Sequence, residues 1–190
     1  MDAYKLLIGL VVPRPIGWIG SIDARGVRNL APYSFFNAVA ATPPTVLFSP
    51  LPQAGNAKDT LRNVEETGEF TVNMVSDDLV ERMNITSGRY PSDVDEFELA
   101  GLTAVTGREV TAPMVAEAKA NLECRVTQLV PVGRPPMGGT LVIGEVVVFH
   151  VRADLLDGTR VDQAGLDLIG RMGGPNYTRT RDTFGLERPT

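Results

Sequence analysis

A chain of 190 residues with 43% hydrophobic and 22% charged side chains can bury a substantial core and reads as soluble and globular. Its 23 acidic and 18 basic residues leave a net charge of −5, so there is no general surplus of Lys and Arg to neutralise a phosphate backbone, which argues against nucleic acid as the main partner. Cys124 is the single cysteine and His150 the single histidine, which excludes an intrachain disulfide and a two-histidine metal centre.

The N-terminal apolar run Leu6–Val12 stops at Pro13 and is about half the length that a signal-peptide core with its cleavage site requires. No run approaches the roughly 20 apolar residues of a membrane span, so a cytoplasmic protein with no membrane partner is expected. Ile16–Ile22 ("IGWIGSI") reads as a strand, followed by a turn in "DARGVRN" with Gly26 at its tip. "LAPYSFFNAVA" is the expected return strand, and Pro32, which lacks a ladder donor, places it at an edge or a distortion. "TVLFSP" is a further strand bounded by prolines.

"KDTLRNVEETG" predicts a helix capped by Asp59 and ended by Gly68. "EFTVNMVS" alternates as a half-buried strand, and a second short helix starts at Ser76 or Asp77. "DEFELAGLTAVTG" starts as a helical turn and becomes extended, and a short apolar stretch then leads into the long strand around "ANLECRVTQLVPVG". "TLVIGEVVVFHV" is the strongest β signal, with Gly144 as a candidate bulge. The tail, interrupted by Gly173-Gly174-Pro175, is expected to be irregular. No repeat or low-complexity linker appears, which gives a single domain over 1–190, mainly β with a few helices and barrel-like in its strand spacing.

The stretch Asn29–Pro50 sets Ser34 and Asn37 among aromatics, where a buried polar group costs a few kcal/mol unless something bonds to it. The protein or a ligand can be that partner. On the residues alone, Ser34 and Asn37 can bond a bulged backbone, Asp59-Thr60 can be an ordinary helix start, and Arg14 can be a surface charge. Trp18 and Cys124 read as core residues, and His150 as a core or surface residue.

From "PRPIGWIGSIDARGVRNLAPYSFFNAVAATPPTVLFSP" through "KDTLRNVEETGEFTVNMVS", "FELAGLTAV", "ANLECRVTQLV" and "LVIGEVVVFHV" to "GRMGGPNY", the chain resembles the flavin reductase-like, FMN-binding split-barrel family. The resemblance implies a six-stranded Greek-key split barrel, a homodimer and an FMN site at the subunit interface. It implies that Ala31, Pro32, Tyr33, Ser34, Phe36, Asn37 and Ser49 lie beside the flavin ring and ribityl chain. Lys58, Asp59 and Thr60 would take the phosphate, with Ser21 as an additional contact and Arg14 as a second positive charge. Arg171 and Tyr177 would belong to a segment that closes over the pocket.

The implied activity is an FMN-dependent NAD(P)H:flavin oxidoreductase that delivers reduced flavin to a monooxygenase or other acceptor. NADH and NADPH stay open as co-substrates, and no side-chain acid or base is required. Many such reductases carry Gly-Asp-His before the strand equivalent to "LVIGEV", whereas this chain has Gly138-Gly139-Thr140. That departure keeps two alternatives open. One is a flavoredoxin-like electron carrier with little nicotinamide activity, and the other is a split barrel binding another planar cofactor such as a deazaflavin or haem.

Overall fold

The computed structural model describes residues 2–52 and 58–189. Its centre is one antiparallel sheet of seven strands in the order β2-β1-β5-β8-β9-β4-β3. The strands are β1 (Gly17–Ile22), β2 (Arg28–Tyr33), β3 (Phe36–Ala41), β4 (Pro44–Phe48), β5 (Glu69–Met74), β8 (Ala120–Val132) and β9 (Gly139–Val151). Short pairs flank it: β6 (Ala104–Val105) with β7 (Met114–Val115), β10 (Leu156–Asp157) with β11 (Arg160–Val161), and β12 (Ile169–Arg171) with β13 (Tyr177–Arg179). The helices are α1 (Ala3–Leu10), α2 (Asp59–Thr67), α3 (Val80–Ile85), α4 (Glu96–Leu99) and α5 (Gln163–Leu166).

β2 and β3 are the opposite edges of the sheet, yet only Ser34 and Phe35 separate them in sequence. Three peptide links reach at most about 11 Å, so the sheet must curl until its edges approach at this corner. The edges do not pair with each other, and the barrel stays open. The expected six strands of the split barrel become seven in an open sheet, because "LAPYSFFNAVA" serves two edges rather than one strand. β2 also starts earlier than expected, at Arg28, where it pairs with Ile22. Pro32 sits opposite Trp18 on the outermost strand, where its missing N–H costs no ladder bond.

Side chains alternate across β1 and β2 between two cores. Ile19, Tyr33, Phe48, Phe70, Val72, Cys124 and Val146 fill the barrel, and Leu61 and Val64 of α2 pack against this core. The Phe48 ring lies 5.2 Å from both Tyr33 and Phe70, tilted on one and edge-on to the other. Trp18 and Leu30 face outward into a second core with Leu79, Met83 and Phe97, and the Trp18 indole N–H donates to Thr86 Oγ1 at 2.9 Å. Cys124 is buried, and burial pushes its thiol well above the usual range.

Several local expectations are corrected by the contacts. Lys58, not Asp59, occupies the position before α2, and Asp59 turns its carboxylate to Arg62. Gly68 ends the helix with φ +70°, as its position suggests. The segment after Ser76 starts as a 3-10 turn, Asp77–Leu79, before α3. Gly144 lies beside a bulge rather than in one: Thr127 across the ladder and Val147 further along have no register partner. The glycine is needed there because a Cβ would come within 2.5 Å of the Phe70 ring. The tail is regular around Gly173-Gly174-Pro175, which form the connection of the β12–β13 hairpin.

Glu123 and His150 form a second structural anchor. The fully buried Glu123 carboxylate accepts the N–H groups of Arg108, Glu109 and Val110 at 2.7–2.9 Å and meets His150 Nε2 at 2.5 Å. Burial alone would raise its pKa, but these donors outweigh burial and hold it at about 2.

Candidate functional site

The outer edge of β2, the start of α2 and the loop after α3 enclose a cleft of about 340 Å³. Ala31, Pro32 and Tyr33 form one wall, Lys58, Asp59 and Thr60 the second, and Thr86–Tyr90 the third, with Ser92 and Glu96 at one end. Pro32 and Ser87 also line an adjoining hollow of about 250 Å³, completed by Tyr4 and Ile8 of α1, Arg14, Ser34, and Arg171 and Tyr177 of the tail hairpin. The two spaces follow β2 as one elongated site.

Positive charge gathers at the α2 end. The Lys58 ammonium is held below its usual pKa by partial burial first and by the Arg89 guanidinium second, with Asp59 acting in the opposite sense. The N–H groups of Asp59 and Thr60 belong to the first helical turn and have no intrahelical acceptor, whereas Leu61 and Arg62 already bond Lys58 O. Two cations and a helix N-terminus at one end of a cleft suit an anion.

The wall behind this end is a closed polar network. Thr60 Oγ1 accepts from Asn29 Nδ2 at 2.8 Å and from the Tyr33 hydroxyl at 2.9 Å. Ser21 Oγ accepts from Asn29 at 3.1 Å and from Asn63 at 3.2 Å. These bonds fix α2 against β1 and β2, and burial pushes the Tyr33 phenol above its usual range. Glu96, 8% exposed, accepts the Leu30 N–H at 3.1 Å, and burial raises its carboxyl to about 7.

The opposite end is built around Arg14. Its guanidinium donates to Ile8 O at 2.7 Å, Val11 O at 2.6 Å, Met172 O at 3.0 Å and Ser34 Oγ at 3.3 Å. Its backbone exchanges hydrogen bonds with Arg171 at 3.0 and 2.8 Å. One side chain therefore joins α1, β12 and the end of β2. Burial and then Arg171 lower its pKa. Arg171 lies 4.4 Å from the Tyr177 ring centroid and donates to Gly174 O at 2.7 Å.

The family model of the flavin reductase-like domain matches residues 9–165. The chain belongs to the flavin reductase-like domain family. A protein of Deinococcus radiodurans is 45% identical to it, covering 98% of this chain and 85% of its own length. Among solved structures, nitrilotriacetate monooxygenase component B from Bacillus cereus is 40% identical with a TM-score of 0.94, covering 97% of this chain and 93% of its own. The 2-nitrobenzoate 2-nitroreductase of Pseudomonas fluorescens is 33% identical with a TM-score of 0.90, covering 100% and 92% of the two chains.

In this flavin reductase-like chain, Ala31, Pro32, Tyr33, Lys58, Asp59 and Thr60 line the cleft, and Arg14, Ser34, Arg171 and Tyr177 line the adjoining hollow. Four of the residues singled out in the sequence stand outside both spaces. Ser21 lies in the buried network, and Phe36 packs against Gly17 and the barrel core. Asn37 is exposed on β3, where its Oδ1 accepts the Ala38 N–H at 3.0 Å. Ser49 is buried and donates its N–H to Phe35 O. Sequence reasoning missed Arg89 and Glu96. The signal for Arg89 was a cation directly after Ser87-Gly88 at the end of a helix, but nothing local connects it to Lys58.

Proposed function

We propose that the chain is an FMN-dependent NAD(P)H:flavin oxidoreductase that supplies reduced flavin to a partner such as a monooxygenase. The observation that carries this reading is the meeting of Lys58, Arg89 and the α2 N-terminus at one end of an elongated cleft, with Arg14 and Arg171 at the other. Lys58, Arg89 and the first-turn N–H groups would hold the phosphate. Pro32, Ser34, Arg171 and Tyr177 would surround the ring, where the two guanidinium groups favour the negative charge that develops on reduction. Held there, FMN would supply the hydride-accepting and electron-transfer chemistry. The protein's part is to bind, orient and shield it.

A cytoplasmic homodimer is part of the same reading. Its support is an exposed apolar edge in β3, including Val39, and α1, which buries none of its residues while exposing Leu6, Leu7 and Leu10. Sizing at low micromolar concentration should give about twice the 20.5 kDa chain mass.

A second reading, an electron carrier with little nicotinamide activity, is favoured by Gly138-Gly139-Thr140 and by the engagement of His150 with Glu123. Anaerobic visible spectra of the FMN-loaded protein separate the two. Bleaching within seconds of adding NADH or NADPH supports the reductase, whereas bleaching by dithionite alone supports the carrier. Failure to bind FMN refutes both.

A further inference from the structure

An apolar hollow of about 480 Å³ lies between the segment leading into β1, the end of β5 and the tail hairpin, and the flavin reading does not use it. Ile16, Val75, Val161, Leu166, Leu168 and Ile169 supply most of its surface. The exposed residues Gln163, Thr180 and Thr183 form its rim. Arg14 and Ile16 also line the hollow around Ser34, so both spaces meet the same short segment.

The tail is anchored at this rim. Arg179 pairs with Asp77 at 2.8 Å, and Arg181 pairs with Asp77 at 2.8 Å and with Asp167 at 2.7 Å. Between them, Thr180 donates its N–H and its hydroxyl to Leu168 O at 3.3 and 2.8 Å. Thr183 still lines the hollow, yet Phe184 and Leu186 just beyond it are 86% and 85% exposed. Their i, i+2 spacing sets both side chains on one face of an extended chain. The segment is an apolar arm whose root is fixed beside an apolar hollow that it does not fill.

A second copy satisfies arm and hollow together. In a two-fold dimer, residue i of one copy touches j of the other, and j touches i. Because root and hollow share one rim, a two-fold axis passing beside that rim sets each arm across the other copy's hollow. Leu186 is three residues beyond Thr183, a reach of at most about 11 Å, so the exchange leaves the anchored hairpin in place. Val161 and Gln163 also line a depression with Asp157, Arg160 and Asp162, where Arg188 and Glu187 of an arriving arm meet opposite charges.

We propose that Phe184 and Leu186 of one copy dock in the hollow formed by Ile16, Val161, Leu166 and Ile169 of a second copy, so that the homodimer is held by reciprocal arm exchange. The proposal rests on the homodimer reading above and adds the contact that holds it.

The full-length wild type is compared with Phe184→Ser/Leu186→Ser by sedimentation velocity over a dilution series. The double variant should raise the dimer dissociation constant at least about a hundredfold, about tenfold for each of the two arms, as expected for large apolar side chains left in water. Its circular dichroism should match the wild type, because neither side chain is buried within one chain. For the acceptor, Gln163→Cys and Leu186→Cys chains are mixed, oxidised with diamide and separated without reductant. The lone native thiol, Cys124, is buried and does not compete. A cross-linked species of twice the chain mass, present in the mixture and absent from either variant alone, is expected.

A wild-type dimer that the arm variant leaves intact, with no cross-link in the mixture, refutes arm exchange and leaves the homodimer reading standing. A Gln163→Cys/Leu186→Cys chain that cross-links only within itself makes the chain's own tail the occupant and also refutes exchange. A wild type that is monomeric at low micromolar concentration overturns both.

Discussion

Removing Arg89 and Lys58 tests the anion end of the cleft directly. In the ligand-free protein the two cations disfavour each other, and Arg89 contributes to the lowered pKa of Lys58. A phosphate dianion relieves that repulsion as well as bonding both groups. A hydrogen bond to a charged group is worth about 1.5–3 kcal/mol. Arg89 is exposed and Lys58 half-buried, so solvent screening brings each contribution to about 1–2 kcal/mol. Arg89→Ala or Lys58→Ala should therefore weaken FMN about five- to thirtyfold, at about 1.4 kcal/mol per factor of ten. Riboflavin, which lacks the phosphate, should change by less than about twofold by the same arithmetic.

Titration by quenching of flavin fluorescence reads both ligands in one assay. Raising KCl from about 0.05 to about 0.5 M should weaken FMN in the wild type and much less in the double variant, since added salt screens an ionic contact at such a surface. Equal losses of FMN and riboflavin would refute the phosphate assignment and point to damage of the wall. Unchanged FMN affinity would place the phosphate elsewhere.

Three further outcomes follow from the buried polar groups. Thr60→Val removes the acceptor of two buried donors, Asn29 Nδ2 and the Tyr33 hydroxyl. It should cost about 2–3 kcal/mol and lower the melting temperature by about 5–10 °C, with Thr60→Ser nearly neutral. Glu123 has its folded pKa lowered from 4.5 to about 2, so its stabilisation is complete above about pH 4.5 and is lost as pH falls towards 2. Glu123→Gln should reduce the urea midpoint near neutral pH and flatten its fall over that window; an unchanged slope would refute the assignment. Glu96 is raised from 4.5 to about 7 by burial, so its ionisation removes stability as pH rises across that interval. Glu96→Gln should therefore be relatively more stable than the wild type near pH 8 than near pH 4, measured by the same denaturation.

The strands with regular alternation or dense β-branching, Gly17–Ile22, Glu69–Met74, Ala120–Val132 and Gly139–Val151, were legible in the sequence because each buries side chains by local pattern. What escaped depends on contacts between distant segments. The break at Ser34-Phe35 arises because β2 pairs with β1 while β3 pairs with β4. The regular tail exists because Arg171 bonds Arg14 through the backbone and Tyr177 pairs back on it. Helix α1 contributes no buried side chain, and Arg14 takes two of its C-terminal carbonyls. For the site, Pro32 and the Lys58-Asp59-Thr60 segment announce an open edge and a helix start. Arg89 meets them only because the loop after α3 folds over β2.

The polar residues within the apolar stretch Asn29–Pro50 are now accounted for mostly by the protein itself. Asn29 and Tyr33 bond Thr60, Ser34 receives Arg14, and Asn37 satisfies its neighbour's N–H in solvent. A hydroxyl already accepting two hydrogen bonds has little left for a ligand beyond its own proton. On the proposed reading, Thr60 would act on a flavin through the position of α2, and Lys58 and Arg89 would act through charge. The two kinds of residue separate experimentally. Loss of Thr60 should affect FMN and riboflavin together, in step with stability, whereas loss of either cation should distinguish the two ligands and leave the fold intact. A Thr60→Val protein that kept its melting temperature but lost only FMN would mean that the hydroxyl leaves Asn29 and Tyr33 to bind phosphate.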